Sequence, residues 1–237
     1  MTGDGDMEEI KILFEDKDII VVVKPAGMAS QEARSADMDM VSYLKNYLVR
    51  EKKVQGIPYI GAVHRLDRPV GGVMVYAKTQ QAAKNLSEQI QKNRMRKEYM
   101  AVLTGTLKKK EGRLEDYLVS DGRSNSTVVA DKTEAGAKKA ILEYKVKRTK
   151  FENGKQYSLV NIHLITGRHH QIRVQMAHAG AGLWGDTKYN PEFSGQTGWF
   201  DLALFAWHLE FDHPRTKKHL VFEIPAGSQI ISHFDVK

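Results

Sequence analysis

Five runs rich in β-branched and aromatic residues, Tyr99–Thr104, Lys139–Arg148, Tyr157–Ile165, Leu202–Phe211 and His219–Ile224, dominate the chain after residue 98. Several alternate apolar and polar residues, the period of a half-buried strand. Parallel neighbours need a crossover of a dozen or more residues, usually a helix, and most of these runs follow one another without one. The expected class is therefore α+β, with a mixed, largely antiparallel sheet flanked by helices.

Before residue 98 the pattern adds helices. Ile10–Phe14 and Ile19–Val23 read as strands around the polar turn Glu15-Asp16-Lys17-Asp18, and Lys24-Pro25-Ala26-Gly27 ends the second. Val41, Leu44 and Leu48 recur at helical spacing between Asp37 and Arg50. Gly72–Ala77 predicts a strand leading into a helix, with Thr79 as its N-cap and Ala82, Leu86 and Ile90 on one face. No repeat, low-complexity tract or linker divides the chain. One domain over residues 10–237 is expected, preceded by a flexible segment at 1–9, with Ser120–Ala135 and Asn190–Gly198 as loops.

Charge narrows the partner class. The 36 Lys and Arg outnumber 29 Asp and Glu, for a net +7, so the summed field attracts polyanions. The excess is clustered: Lys92, Arg94, Arg96 and Lys97, then Lys108–Lys110, then Lys138, Lys139, Lys145, Lys147, Arg148 and Lys150, a distribution suited to tracking phosphates. The absence of cysteine excludes disulfides, thiolate metal sites and a cysteine nucleophile. No stretch approaches the roughly 18 apolar residues of a membrane span, and the acidic start is unlike a signal peptide, so cytoplasmic residence is expected.

Common catalytic signatures are missing: there is no G-x-S-x-G, H-E-x-x-H or Walker-type loop. Gly180-Ala181-Gly182-Leu183-Trp184-Gly185 has the letters of a dinucleotide loop, yet it follows a predicted helix instead of preceding one, so Gly180 is read as a helix terminator. The nine histidines show no metal-ligand spacing. The distinctive segment is His64-Arg65-Leu66-Asp67-Arg68-Pro69, between apolar Ile60–Val63 and the strand at Gly72–Ala77. It places Asp67 on a sheet-anchored loop, where flanking arginines keep a carboxylate ionised and attract anions. A surface ion pair explains the same letters.

Together with three other segments, this one resembles the RluA family of pseudouridine synthases. The resemblance rests on His64-Arg65-Leu66-Asp67 with Gly71-Gly72-Val73, on Lys97-Glu98-Tyr99-Met100-Ala101, on Thr166-Gly167-Arg168-His169-His170-Gln171-Ile172-Arg173-Val174, and on Gly185-Asp186-Thr187-Lys188-Tyr189, in the family's order. Lys24-Pro25-Ala26-Gly27-Met28 is similar to the family's first motif, so the match runs from about Ile10 to Pro225. Val70 and Gly71 stand where relatives carry hydroxyl residues, which puts the loop's rigidity in question, and Phe205 stands where relatives often have histidine.

The resemblance implies a catalytic domain that isomerises uridine to pseudouridine in structured ribosomal or transfer RNA without cofactor or metal, acting as a monomer. It makes Asp67 the catalytic carboxylate, as nucleophile or as base, Arg173 the arginine that pairs with it, and Tyr99 the active-site tyrosine that stacks on uracil and assists removal of the C5 proton. Arg65 is similar to the residue that enters the stack when the target base flips out, and Arg168, His169 and Gln171 are expected to position RNA or the loop around Arg173. A noncatalytic RNA-binding protein retaining the fold is the alternative, against which the joint presence of Asp67, Tyr99 and Arg173 argues. A glycosidase-like hydrolase generally needs two carboxylates, and only Asp67 has a supporting context.

Overall fold

The computed structural model describes residues 9–31, 37–196, 200–225 and 230; most of the expected flexible N-terminal segment, and residues 197 and 198 of the second expected loop, lie outside them. The chain divides into two compact units, the first comprising residues up to Glu88 with His213–Lys218, the second Gln89–Asp212 with the remainder. Every ladder within either unit is antiparallel, and the class is α+β as the strand succession requires.

The first unit contains β1 (Ile12–Glu15), β2 (Ile19–Lys24), α1 (Met40–Arg50), β3 (Gly61–Ala62), β4 (Gly71–Ala77) and most of α2 (Gln80–Gln91). Asp16 makes the β1–β2 turn: its Oδ1 accepts from the Asp18 and Ile19 amides at 2.8 and 2.9 Å. β4 lies beside both β2 and β3, and Val73–Ala77 are at most 2% exposed, so the uninterrupted apolar run reflects burial on both faces. The helix predicted from Asp37 begins at Met40, because Asp39 turns its carboxylate onto the Val41 and Ser42 amides, an N-cap worth about 1 kcal/mol. Met40, Leu44 and Leu48 form its buried face, with Val41 half-buried. Thr79 caps α2 as predicted, its Oγ1 accepting from the Ala82 amide at 3.1 Å.

The second unit is built on β5 (Arg96–Thr104), β6 (Glu111–Asp121), β7 (Ser126–Ala130), β8 (Lys138–Glu152), β9 (Lys155–Leu164), α3 (Gln171–His178), β10 (Leu204–Asp212) and β11 (His219–Glu223). The strands run β10-β5-β9-β8-β6-β7, with β11 also on β10. The expected loop at Ser120–Ala135 is in part a hairpin, β6 turning into β7. Its charged letters conceal a strand because β6 is mostly exposed and is held by its ladder to β8 and by ion pairs such as Lys139–Glu115 at 2.5 Å and Lys145–Glu111 at 3.4 Å. α3 packs on this hairpin through Val174, against Leu118 and Ala140. Gly180 ends α3 as expected: at φ 90° it takes the left-handed conformation, and the Ala181 amide reaches back to the Met176 carbonyl at 3.0 Å. No helix among the described residues is long and apolar enough to cross a membrane.

Candidate active-site residues

In the first unit, Asp67 occupies a loop between β3 and β4 that is tied down on both sides. Leu66 is buried, and the Ser30 hydroxyl both accepts from the Leu66 amide (3.0 Å) and donates to its carbonyl (2.7 Å). Tyr76, from the fully buried strand, donates its hydroxyl to the Ser30 carbonyl at 2.9 Å, so the anchor is itself anchored. After Asp67, the Val70 amide closes a turn onto the Asp67 carbonyl at 2.9 Å while the Val70 side chain is buried. His64 accepts the Val75 amide at Nε2, 3.1 Å, which places any proton of the neutral ring on Nδ1. Rigidity that relatives are expected to gain from hydroxyls at positions 70 and 71 thus comes here from Ser30, His64 and a buried valine. Asp67 itself is half-buried and Arg65 is exposed.

The arginines flanking Asp67 do not behave alike. Arg68 turns to Gly27 and Asp37, its Nε donating to the Gly27 carbonyl and its Nη2 meeting the Asp37 carboxylate, both at 2.8 Å. A buried lysine also lies within the electrostatic reach of Asp67. Lys24, at 0% exposure, directs Nζ to the carbonyls of Pro25 (2.9 Å), Met28 (2.6 Å) and Arg68 (3.3 Å), three acceptors for the three donors of an ammonium. Burial pulls its pKa down to about 7, the Asp67 charge opposes that fall and the Arg68 charge adds to it.

A depressed lysine pKa has a definite sign in the stability of the fold. Between about 7 and the ordinary value of 10.5 the unfolded chain carries the Lys24 proton and the folded chain releases it, so stability rises with pH across that window and the gain is lost as pH falls through about 7. The slope from this one group is at most about 1.4 kcal/mol per pH unit. Urea denaturation should find wild type gaining on Lys24→Met between about pH 7 and about pH 9; a difference independent of pH would show that Lys24 keeps its proton throughout.

In the second unit, Tyr99 is buried at mid-strand on β5, opposite Ile162 of β9 and Ala206 of β10, with Phe205 buried opposite Met100. Lys97 shares the Tyr99 side of the strand, reaches toward Gly167, and has its pKa lowered by burial. Glu98 points the other way and accepts from Asn161 at 2.8 Å.

Arg173 projects from α3 and its guanidinium is gripped bidentately by Asp186, Nε to Oδ2 at 2.8 Å and Nη2 to Oδ1 at 2.7 Å, with side chains 8% and 0% exposed. Asp186 also accepts the Lys188 and Tyr189 amides on Oδ1 at 3.0 and 3.1 Å. Gly185 brings Asp186 into place: it lies at φ 74°, and a Cβ there would come within 2.1 Å of the Asp201 carbonyl oxygen. The guanidinium carbon stands 5.1 Å over the Tyr189 ring, whose hydroxyl accepts from the Thr127 amide at 2.8 Å and meets His170 Nδ1 at 2.7 Å. His169 stacks on His170 and meets the Thr127 hydroxyl at 2.9 Å. The Gln171 amide takes the Thr166 hydroxyl and the Arg168 amide on Oε1 and gives Nε2 to the Ile141 carbonyl, while Arg168 donates Nε to the Lys139 carbonyl.

Sequence reasoning assigned no role to Lys24, Ser30, Asp186, Tyr189 or Thr127. A lysine following five apolar residues was a visible signal for the first, and Thr127 was hidden in the supposed loop. Asp16, Asp18 and His213 also gather in the first unit with donor atoms within 4.8 Å of one another. His213 accepts two amides on Nδ1 and faces Asp16 with Nε2 at 2.7 Å, and Arg215 lies 2.7 Å from Asp18, which makes the group a latch between the β1–β2 turn and residues 213–215.

Comparison with known proteins supplies the family. The model for RNA pseudouridylate synthase matches residues 18–178. A Bacillus subtilis relative described as an uncharacterized RNA pseudouridine synthase, YlyB, is 33% identical over 92% of this chain and 69% of its own. Ribosomal large subunit pseudouridine synthase D of Pseudomonas aeruginosa is 34% identical over 92% and 68%, and tRNA pseudouridine synthase C of Haemophilus ducreyi is 33% identical over 88% and 87%. Human RNA pseudouridylate synthase domain containing 4 shares the fold, with a TM-score of 0.75 at 21% identity over 93% of this chain and 90% of that one. The chain belongs to the RluA family of RNA pseudouridine synthases and is an isomerase.

Proposed function

We propose that this enzyme converts uridine to pseudouridine in structured ribosomal or transfer RNA, with Asp67 as its catalytic carboxylate. The observation that carries the reading is a half-buried carboxylate on a loop fixed by Ser30, His64 and Val70. Isomerisation breaks the bond from N1 to C1′, turns the base and joins C5 to C1′; the C5 proton leaves and N1 is reprotonated, so no electron or group donor enters. Asp67 serves by attacking C1′ or by removing a sugar proton, two roles the same carboxylate can fill. Tyr99 offers a ring to uracil and a phenol for the C5 proton. Arg173, oriented by Asp186, is the guanidinium that the family resemblance pairs with the carboxylate. The reading gives the exposed Arg65 the gap left by a flipped base and His169 and Arg168 contacts to RNA, while Gln171 holds the loop ahead of α3.

Pseudouridine maps of ribosomal and transfer RNA from cells with and without the gene test this directly: at least one site should disappear and return with the wild-type gene. Unchanged maps in both RNA classes would overturn the reading. Purified enzyme should keep its activity in a chelator once the RNA has been folded beforehand, because no step calls on a metal; activity restored only by a divalent ion acting on the protein would contradict this.

A further inference from the structure

The β8–β9 hairpin and the loop before β6 together make a surface that the chemistry above does not use. Two of the basic clusters, Lys108–Lys110 and Lys147–Lys150, are far apart in sequence. The structure joins them: the Val146 amide donates to the Lys110 carbonyl at 2.7 Å, the Gly105 amide to the Gln156 carbonyl at 2.7 Å, and the Ser158 hydroxyl to the Gly105 carbonyl at 2.8 Å. A bulge between Val146 and Arg148 interrupts the register, so Lys147 is the extra residue. Lys108, Lys109, Lys110, Lys147 and Arg148 are all exposed, and none forms a salt bridge among the described residues, whereas Lys145 and Lys150 are paired with Glu111 and Glu152. Five like charges that none of the neighbouring acids pairs are an unfavourable arrangement that an anionic partner would relieve.

An aromatic ring lies farther along the same strand. Phe151, opposite Gln156 near the tip, is 75% exposed and contributes nothing to the core. A base stacks on such a ring while phosphates meet the lysines, the combination found in single-strand binding surfaces. An acidic protein would use the cations and a folded partner would use an apolar patch, but one isolated ring among cations matches bases strung on phosphates. Tyr99 pairs with Ile162, six residues along β9 from Gln156, so the surface lies about 20 Å from the Tyr99 row at the rise of a strand.

We infer that this surface is a second RNA contact, at which phosphates meet Lys108–Lys110, Lys147 and Arg148 while an unpaired base stacks on Phe151. The inference rests on the RNA-modifying reading above and adds where the RNA extends beyond its target nucleotide. The probe is a long stem-loop RNA with a single-stranded tail, with heparin as a polyanion that has no bases. Phe151→Ala should weaken RNA binding roughly tenfold, within the range for one stacked base, and leave heparin binding unchanged. Replacing Lys109, Lys147 and Arg148 by Ala should weaken both ligands and make the salt dependence of RNA binding shallower by about 2 in log-log slope, near 0.7 per phosphate. Both substitutions are on exposed side chains, and circular dichroism checks that the fold is kept. RNA affinity and salt slope equal to wild type in both variants would overturn the inference, including the case where anionic vesicles or an acidic protein are what the triple variant loses. Pseudouridine formed by wild type in the same RNA separates this outcome from failure of the functional reading, in which no pseudouridine is formed at all.

Discussion

Asp67→Asn is expected to abolish release of tritium to water from RNA labelled at C5 of uridine, a loss of roughly 10⁴-fold or more, the scale seen when the reacting group itself is removed. The label reports the reaction because the C5 hydrogen must leave when C5 bonds to the sugar. The amide has the shape of the carboxylate but neither its charge nor its basicity, so neither attack at C1′ nor removal of a sugar proton survives. The loop should survive. Its anchors are the Ser30 bonds to the Leu66 backbone, the amide of Val70 on the Asp67 carbonyl, and His64 on Val75, none of which uses the Asp67 side chain. Stability should therefore change by no more than about 1 kcal/mol. RNA affinity should stay the same or improve, since a negative charge leaves a phosphate-facing loop. Label released by folded mutant at the wild-type rate would remove Asp67 from the chemistry.

Asp186→Ala is expected to be the costliest single change for the fold, at about 3–5 kcal/mol, because it removes the bidentate carboxylate from a guanidinium that is 8% exposed. It also strips two amides of their acceptor and leaves the Tyr189 segment unfastened. The test of the cause is a second substitution. Arg173→Met removes the buried charge that Asp186 gripped, so the double variant should recover much of the stability lost by Asp186→Ala. Activity should not return with it if Arg173 serves the reaction and not only the fold. Urea denaturation with the tritium assay reads both. A double variant as unstable as Asp186→Ala would mean that the amide contacts of Asp186, and not its ion pair, carry the cost; a stable and active one would leave Arg173 a structural residue.

These two residues differ in how visible they are. Asp67 stood out because its context is local, a histidine, two arginines and a proline between two apolar runs, though those letters fit a surface ion pair as well and only the ordered motifs that resemble the family made it the candidate. The α+β class was visible for a similar reason, since the period of strands and the missing crossovers are properties of neighbouring letters. The caps at Asp39 and Thr79 and the stop at Gly180 follow from the next few amides and carbonyls, and local chemistry was enough to read the latter two. The hairpin of β6 and β7 was not, because an exposed, charged strand is made a strand by its partner, and the partner β8 begins beyond the turn.

What only the tertiary structure decided are the pairings between distant residues. Arg68 adjoins Asp67 in sequence, yet its guanidinium goes to Asp37, 31 residues away, while Lys24 lies within the electrostatic reach of Asp67 because β2 and β4 are paired with Lys24 opposite Gly72. Asp186 was quoted within a motif, but that it grips Arg173 depends on the end of α3, the turn at Gly180 and the tight backbone at Gly185. Lys108–Lys110 and Lys147–Arg148 were two clusters in the chain and became one surface through backbone contacts at Val146 and Gly105. The sequence by itself determined which segments could be strands or helices, because that depends on residues within a turn or two. The partners of each charge depend on strand register, which is set by the burial of whole faces and cannot be read from any one segment.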